Sequence, residues 1–308
     1  PGEAAVLRPS SLVWELDSEP VLPLVVQIPG EAGVPLTTAG ATPSAATPSA
    51  SGQPETGKPP ADRQPPPRLI GVPVIEPFPS PYIGGALPSA YVAGWGDYFI
   101  SGSAATPGKL RDGVVDASLN MGIGFGDPVR FVAVEVDWNI GSVRNFNYNG
   151  SFDVLIGRML VNEPRLQVSV SGGLTNVVQY YRNELPSVPN GYGVITLATP
   201  LRTPNPYFNQ VLQVSLGVGG SNYAYINDDF EAETTSFFAA LGLEITSNVG
   251  LSLGWSGRGT NVNLSYTPFR DLPVTINAVA ADVFNRSPFG TVGVFSLTWG
   301  DNFRTGLF

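Results

Sequence analysis

The stretch VDASLNMGIGFGDPVRFVAVEVDWNI, residues 115–140, decides the fold of this chain. On both sides of Gly126-Asp127-Pro128-Val129, every second residue is apolar and the residues between are mostly small, polar or acidic. A period of two is typical of a β-strand with one apolar face. Each run is about as long as a strand that crosses a bilayer. The stretch therefore predicts two membrane-crossing strands joined by a tight turn.

Alternating runs of this kind recur from residue 89 to the end of the chain. Their connections alternate between long segments, such as 103–112, and short turns, such as Asp127-Pro128. That rhythm is typical of a membrane barrel with long external loops and short periplasmic turns. We therefore predict an all-β fold: a closed antiparallel up-and-down transmembrane β-barrel of about 12 strands. The expected strands are 90–102, 113–126, 130–142, 151–161, 165–180, 192–201, 208–223, 235–247, 249–257, 260–268, 272–284 and 291–303.

The composition agrees with a membrane barrel and excludes several other classes. Charged residues make up 13% of the 308 residues, about half the share in soluble proteins. No run approaches the roughly 20 apolar residues of a membrane helix. The net charge of -9 argues against nucleic acid as a partner. We expect the bacterial outer membrane as the location, its lipid as a partner, and the barrel termini and short turns on the periplasmic side.

The composition changes sharply near residue 89, which divides the chain into an arm and a barrel. Residues 1–88 form an extended Pro/Ala/Ser/Thr-rich arm, and residues 89–308 form the barrel. The arm carries two possible β-segments, 11–16 and 21–28, which have the content of strands that add to a neighbour's sheet. We expect the arm to dock on another copy of the chain or on another envelope protein. The candidate docking residues are Leu12, Val13, Trp14, Leu16, Leu22, Leu24, Val25, Val26 and Ile28.

Strand alternation assigns one set of side chains to lipid and the other to the lumen. A charge on the lipid face costs a few kcal/mol near the bilayer midplane, and the strand charges fall mainly on the inward set. Arg158 breaks this pattern and is expected near the interface or after a bulge. Aromatic residues near strand ends, Tyr91 and Trp95 among them, predict interfacial girdles. The predicted lumen-lining residues are Asp116, Asn120, Glu135, Asp137, Arg165, Gln167, Gln213, Glu244, Arg258 and Asn263.

Several of these segments resemble uncharacterised outer-membrane barrel proteins of cyanobacterial type. The resemblance covers about residues 80–303 and leaves out the arm before them. It implies a location and a fold but no established activity, so it transfers no functional residues. The segments that carry it are Ser89-Ala90-Tyr91, Trp95-Gly96-Asp97, Asp112-Gly113, Gly122-Ile123-Gly124-Phe125-Gly126-Asp127-Pro128, Val134-Glu135-Val136 and Pro268-Phe269-Arg270-Asp271-Leu272-Pro273-Val274.

The sequence favours a protein without enzymatic activity, cofactor or metal. With no His and no Cys, it excludes Ser–His triads, Cys nucleophiles and His-ligated metals. Glu135 and Asp137 could do acid–base chemistry, but we interpret them as lining a wet lumen or pairing with inward arginines such as Arg165 and Arg258. The segment Gly217-Val218-Gly219-Gly220 is interpreted as relief of crowding in the wall or lumen.

The acidic segment 228–233 leaves two interpretations open. Its carboxylates, on Asp228, Asp229, Glu231 and Glu233, could bind calcium, or the loop could simply be solvated. The ligand spacing does not match an EF-hand, so we favour the solvated loop.

Two functional hypotheses remain. The favoured one is structural: a barrel whose arm links it into a surface or envelope assembly. The alternative is a small porin for passive diffusion of ions or small solutes, with the arm as a periplasmic tether. A continuous wet channel with the arm outside would favour the porin. An arm threaded through the lumen or onto a neighbouring barrel would favour the assembly.

Overall fold

The computed structural model describes the barrel and the end of the arm that leads into it. The described residues are 80–107, 115–144, 146, 149–163, 165–181, 189–202, 208, 210–225 and 236–302. The arm segments 11–16 and 21–28 and the acidic segment 228–233 lie outside them. The docking role of the arm and the calcium question therefore stay predictions.

Twelve strands in the described residues form one closed sheet, in which each strand pairs antiparallel with its chain neighbours and the first pairs with the last. The predicted closed antiparallel barrel is confirmed. The strands are β1 (Asp97–Ala105), β2 (Asp116–Gly126), β3 (Ala133–Ile140), β4 (Asn149–Glu163), β5 (Leu166–Tyr181), β6 (Asn190–Pro200), β7 (Val211–Gly219), β8 (Ser236–Thr246), β9 (Val249–Trp255), β10 (Thr260–Tyr266), β11 (Val274–Ala281) and β12 (Val292–Asn302). A short 3₁₀ helix, Ser221–Tyr223, follows β7.

The turn between β2 and β3 is fixed by Asp127. Its Oδ1 accepts hydrogen bonds from the amides of Val129 and Arg130, at 3.0 Å and 2.9 Å. Gly126 precedes it at φ +86°, a conformation that favours glycine. The turn sets the register that pairs Phe125 with Val134, and this register sends the acidic residues of β3 inward.

The outer face of the barrel is apolar along the strands. On β12 the side chains of Phe295 and Leu297 are 62% and 55% exposed, and on β9 Leu253 is 48% exposed. Between them along each strand lie buried, mostly polar or small residues. Large apolar side chains therefore face outward in a continuous belt, the opposite of a soluble barrel surface.

Aromatic pairs stand at both ends of this belt. We call the end with the β2–β3 turn the turn end and the opposite end the loop end. Near the turn end, Tyr98 packs edge-on against Trp299, with ring centroids 5.5 Å apart. Near the loop end, Trp138 Nε1 donates a 2.8 Å hydrogen bond to the Tyr180 hydroxyl. Such amphipathic rings are typical of the two membrane interfaces.

Arg158, which breaks the alternation, is exposed on the outer face of β4. A register shift in the pairing of β4 with β5 follows it, between Met159 and Val161. Among the described residues, none belongs to a helix long and apolar enough to cross a membrane.

The first strand differs from its prediction. The sequence predicts 90–102, whereas β1 begins at Asp97 and ends at Ala105. Residues 90–94 instead lie inside the barrel, where Ala90 is 2% exposed. The prediction of Tyr91 as a girdle residue is also wrong, because its side chain packs against a buried cluster of Ile83, Ala198 and Val211.

Candidate functional site: a plugged lumen

The lumen contains a segment of the chain itself, residues 80–94, which we call the plug. It passes first along β8, β9 and β10, turns at Gly84–Leu87, and returns along β6, β4 and β3. It ends where the Trp95 amide donates a 2.7 Å hydrogen bond to the Gly126 carbonyl at the turn end. The chain then continues directly into β1. Because the first leg also starts at the turn end, beside Glu244, the plug enters and leaves by the same mouth.

The reversal of the plug is a tight turn. The Leu87 amide donates to the Gly84 carbonyl at 3.3 Å, and the two residues between, Gly85 and Ala86, have φ of +68° and +57°. Positive φ at both central positions is typical of a type I′ turn. The Tyr82 hydroxyl donates to the Leu87 carbonyl at 2.9 Å and braces the turn across its two legs.

The wall binds the main chain of the first leg. The Tyr82 amide donates to Ser265 Oγ at 2.8 Å, and the Gly85 amide donates to Ser252 Oγ at 3.0 Å. Asn263 Nδ2 donates to the Tyr82 carbonyl at 3.4 Å. All three wall side chains are buried. The plug's peptide groups are thus satisfied by barrel side chains, as buried peptide groups must be.

The return leg is bound in the same way. The Ala90 amide donates to Thr196 Oγ1 at 2.8 Å, and the Ala93 amide donates to Glu135 Oε2 at 2.6 Å. Ser171 Oγ donates to the carbonyl of Ser89 at 3.3 Å. Bonds to an ionised acceptor are the stronger kind, so Glu135 is the firmest of these anchors when it is charged.

Glycines on the inner wall make room for the plug. A Cβ on Gly242 would overlap the Ile83 carbonyl, and a Cβ on Gly254 would overlap the Gly85 carbonyl. A Cβ on Gly124 would likewise overlap the carbonyl of Gly94. Only glycine allows a backbone to approach the wall this closely. The wall is therefore shaped to this path of the plug.

Apolar contacts join the plug to opposite sides of the barrel. Leu87 and Val92 belong to a buried cluster with residues of β3, β4, β6 and β8, while Ala86 packs with Val279, Val292 and Val294 of β11 and β12. The plug thus bridges the lumen instead of lining one wall, and in this position it occupies part of the barrel interior.

The wall beside the return leg is acidic. Glu135 and Asp137 of β3 and Asp153 of β4 are all buried, and Asp137 pairs with Asp153 in the strand register. Asp153 accepts hydrogen bonds from Asn139 Nδ2 at 2.9 Å and from the Asn176 amide at 2.7 Å. In the part of the chain that the structure describes, no group of three acidic side chains is arranged to hold a metal ion.

An aromatic cluster lies inside the barrel toward the loop end, packed with the plug. The Tyr223 ring lies 4.5 Å from Phe238 and 5.7 Å from Tyr192, centroid to centroid. The interpretation of the glycines in 217–220 as relief of crowding agrees with this geometry, since a Cβ on Gly217 would overlap Phe238 and one on Gly219 would overlap Tyr223.

Arg258 ties this cluster to the neighbouring hairpin. Its Nη2 donates a 3.0 Å hydrogen bond to the Ser221 carbonyl in the 3₁₀ helix. Burial lowers the pKa of the Arg258 guanidinium to about 10, and proximity to Tyr223 partly offsets that effect. The guanidinium therefore stays charged at neutral pH.

The predicted lumen residues fall into three groups. Buried on the inner wall are Glu135, Asp137, Gln213, Glu244 and Asn263. Partly buried are Asp116, Asn120, Gln167 and Arg258, the last in the β9–β10 turn. Arg165 is a correction: it lies exposed in the β4–β5 turn and does not reach the lumen.

Two sets of functional residues were missed by sequence reasoning. The first is the plug, because Pro81, Pro88 and the glycines between them give no periodic pattern. The second is the set of hydroxyl side chains that bind it, such as Thr196 and Ser252, which are ordinary inward residues in the alternation. A signal was present in the sequence, because inward positions of neighbouring strands carry glycine at 242, 250 and 254.

The barrel is similar to solved porins at low sequence identity. The NanC porin is 7% identical, covering 67% of this chain and 98% of its own, with a TM-score of 0.42. Omp33 of Acinetobacter baumannii is 12% identical, with the same coverage and a TM-score of 0.36. The KdgM porin is 11% identical, covering 65% and 98%, with a TM-score of 0.38. At these scores the likeness carries no argument about solutes.

No protein-family model matches the chain, and no curated protein is similar to it in sequence. The resemblance to cyanobacterial-type barrel proteins therefore stays a prediction.

Proposed function

We propose that this chain is a porin of the bacterial outer membrane whose lumen is closed by the plug in the state described here. Ions or small solutes would pass when residues 80–94 leave the lumen. The turn end, where the plug enters, would face the periplasm. The apolar outer belt and its aromatic ends support the membrane location, since such a surface would otherwise meet water.

The observation that carries this proposal is the composition of the inner wall under the plug. A narrow barrel without a channel is filled by its own side chains. Here many inward positions against the plug are glycine, serine or threonine, as at Gly242, Ser252 and Thr196, and a separate chain segment occupies the space. Removal of that segment would leave a polar passage.

The structural hypothesis places function in the arm's docking to a neighbour. The described end of the arm matches neither arrangement that would separate the two hypotheses. It lies inside the lumen and not outside it, and both of its described ends lie at the turn end, so residues 80–94 do not thread through to the other mouth. Docking by the segments 11–16 and 21–28 stays a separate prediction.

Planar-bilayer recordings test the proposal with three chains: the full chain, residues 80–308, and residues 95–308. The last keeps all twelve strands, because β1 begins at Asp97. We expect steady conductance from 95–308 and a mostly closed state from the two chains that keep the plug. A 95–308 barrel with native strand content by circular dichroism but no conductance would contradict the porin.

A further inference from the structure

The contacts between the wall and the plug are made mainly to the main chain of the plug. The wall side chains bind peptide groups: the amides of Tyr82, Gly85, Ala90 and Ala93 each meet a wall hydroxyl or carboxylate. None of these four contacts depends on which side chain the plug carries at that position. The wall therefore recognises main chain.

The shape of the wall adds a second, independent observation. Glycines stand where the plug's carbonyl groups approach most closely, at Gly242, Gly254 and Gly124. They provide clearance for a peptide backbone, and the four bound amides provide its register. Space between the anchors accommodates modest side chains, such as Ala90, Val92 and Leu87, in an apolar cluster.

We propose that the lumen is a binding site for peptides that fold back on themselves as the plug does, which it holds by the main chain, and that peptides with small or apolar side chains are its solute class. The plug would occupy this site as a tethered ligand and would compete with a free peptide. This inference rests on the proposed function in one respect: the plug must be able to leave the lumen.

The buried wall groups explain why such a site would prefer peptides to other solutes. Ser252, Ser265, Thr196 and Glu135 are each at most 1% exposed with the plug in place. A ligand that replaced the plug without offering N–H donors at the same spacing would lose the hydrogen bonds that these groups make to the plug, which is costly in a buried site. A peptide that follows the same path as the plug supplies such donors on both of its legs.

The test uses the full chain with Ala90→Pro and Ala93→Pro, which removes two of the plug's amide donors without touching the wall. A synthetic peptide of residues 80–94 is then added in trans. The control peptides have the same sequence with either proline or serine at positions 90 and 93. Serine changes the side chains at positions 90 and 93 but keeps both backbone amides. Proline removes both amides, which are the groups that the wall binds.

We expect the double-proline chain to open more often than the wild type, and the wild-type peptide to close it again. The serine peptide should close it within about tenfold of the same concentration, while the proline peptide should be weaker by about a hundredfold, about tenfold for each lost amide. Equal potency of the serine and proline peptides, or no closure by any peptide, would overturn the inference and leave the porin intact.

Calorimetric binding of the same peptides separates the two proposals. One outcome is a double-proline chain that never conducts and yet binds the wild-type peptide but not the proline peptide. That result would support the peptide site and contradict the porin proposal. Absence of binding overturns the peptide site. Should the double variant fail to reach the membrane, the single Ala93→Pro chain serves with the same three peptides.

Discussion

The Ala90 amide donates a 2.8 Å hydrogen bond to Thr196 Oγ1, joining the return leg of the plug to the centre of β6. Thr196 is fully buried, and its hydroxyl also lies 2.8 Å from Ser215 Oγ on β7. The plug is thus connected to a hydrogen-bonded pair that spans two strands of the wall.

Thr196→Val should loosen the plug without harming the barrel. Valine keeps the shape but leaves the Ala90 amide without an acceptor, a loss of about 1–3 kcal/mol. Hydrogen exchange at Ala90 in the full chain should accelerate by about tenfold or more. Thr199→Val on the same strand is the matched control, because its hydroxyl donates to the carbonyl of the exposed Arg165. Equal protection of Ala90 in both variants would contradict the assignment.

The barrel could be predicted from the sequence, whereas the plug could not. Alternation through Val132, Val134, Val136 and Trp138 is a local signal, and so is the turn chemistry of Asp127, since both act between neighbours in the chain. The plug depends on contacts between residues far apart in sequence, such as Tyr82 with Ser265. It has no period, because its peptide groups bond to side chains and not to a sheet neighbour.

The same physics explains the errors at the site. The sequence predicts a first strand from residue 90 because Tyr91 and Val92 have high strand propensity, which does not distinguish a plug segment from a strand. The alternation of inward and outward residues predicts an inward Arg165, but this alternation ends where the chain leaves the sheet at a turn. Glu135 and Asp137 lie within a regular strand, where the alternation predicts inward side chains, and both are buried on the inner wall.

Gly242→Ala should displace the first leg of the plug. The new methyl group would overlap the Ile83 carbonyl, and overpacking of this kind costs about 1–3 kcal/mol. Exchange at the Tyr82 and Gly85 amides should accelerate while the strand content of the barrel stays unchanged. Gly193→Ala on β6 is the control, since a Cβ there meets its nearest atom at 3.9 Å. A variant that behaves like the control would place the first leg elsewhere.

Phe238→Ala should widen the loop end. Phe238 is fully buried and packs 4.5 Å from Tyr223, whereas its neighbour Phe237 is 61% exposed on the outer face. In the 95–308 chain, we expect the Phe238 variant to raise the single-channel conductance and Phe237→Ala to leave it unchanged. If both variants conduct alike, the aromatic cluster does not limit the passage.

Leu297→Arg should oppose insertion into a bilayer. Leu297 stands at the centre of β12 on the outer face, and a charge at the midplane costs about 2–4 kcal/mol. Phe284→Arg, in the exposed β11–β12 loop, should cost about 0–1 kcal/mol. Urea unfolding from phospholipid vesicles measures both free energies. An equal loss of unfolding free energy in the two variants would argue against a lipid-facing outer surface at Leu297.

Cross-linking tests the position of the plug most directly, because the chain has no cysteine of its own. A Cβ on Gly250 lies 3.2 Å from the Pro81 Cβ, near disulfide geometry, but it would overlap Ile83 Cγ2, so both cysteine pairs also carry Ile83→Ala. The control pair joins position 81 to Leu251, the next residue, which faces outward. In membranes under mild oxidation, Pro81→Cys with Gly250→Cys should form an intramolecular disulfide, and Pro81→Cys with Leu251→Cys should stay reduced. Equal yields from the two pairs, or no disulfide in the first, would contradict a plug inside the lumen.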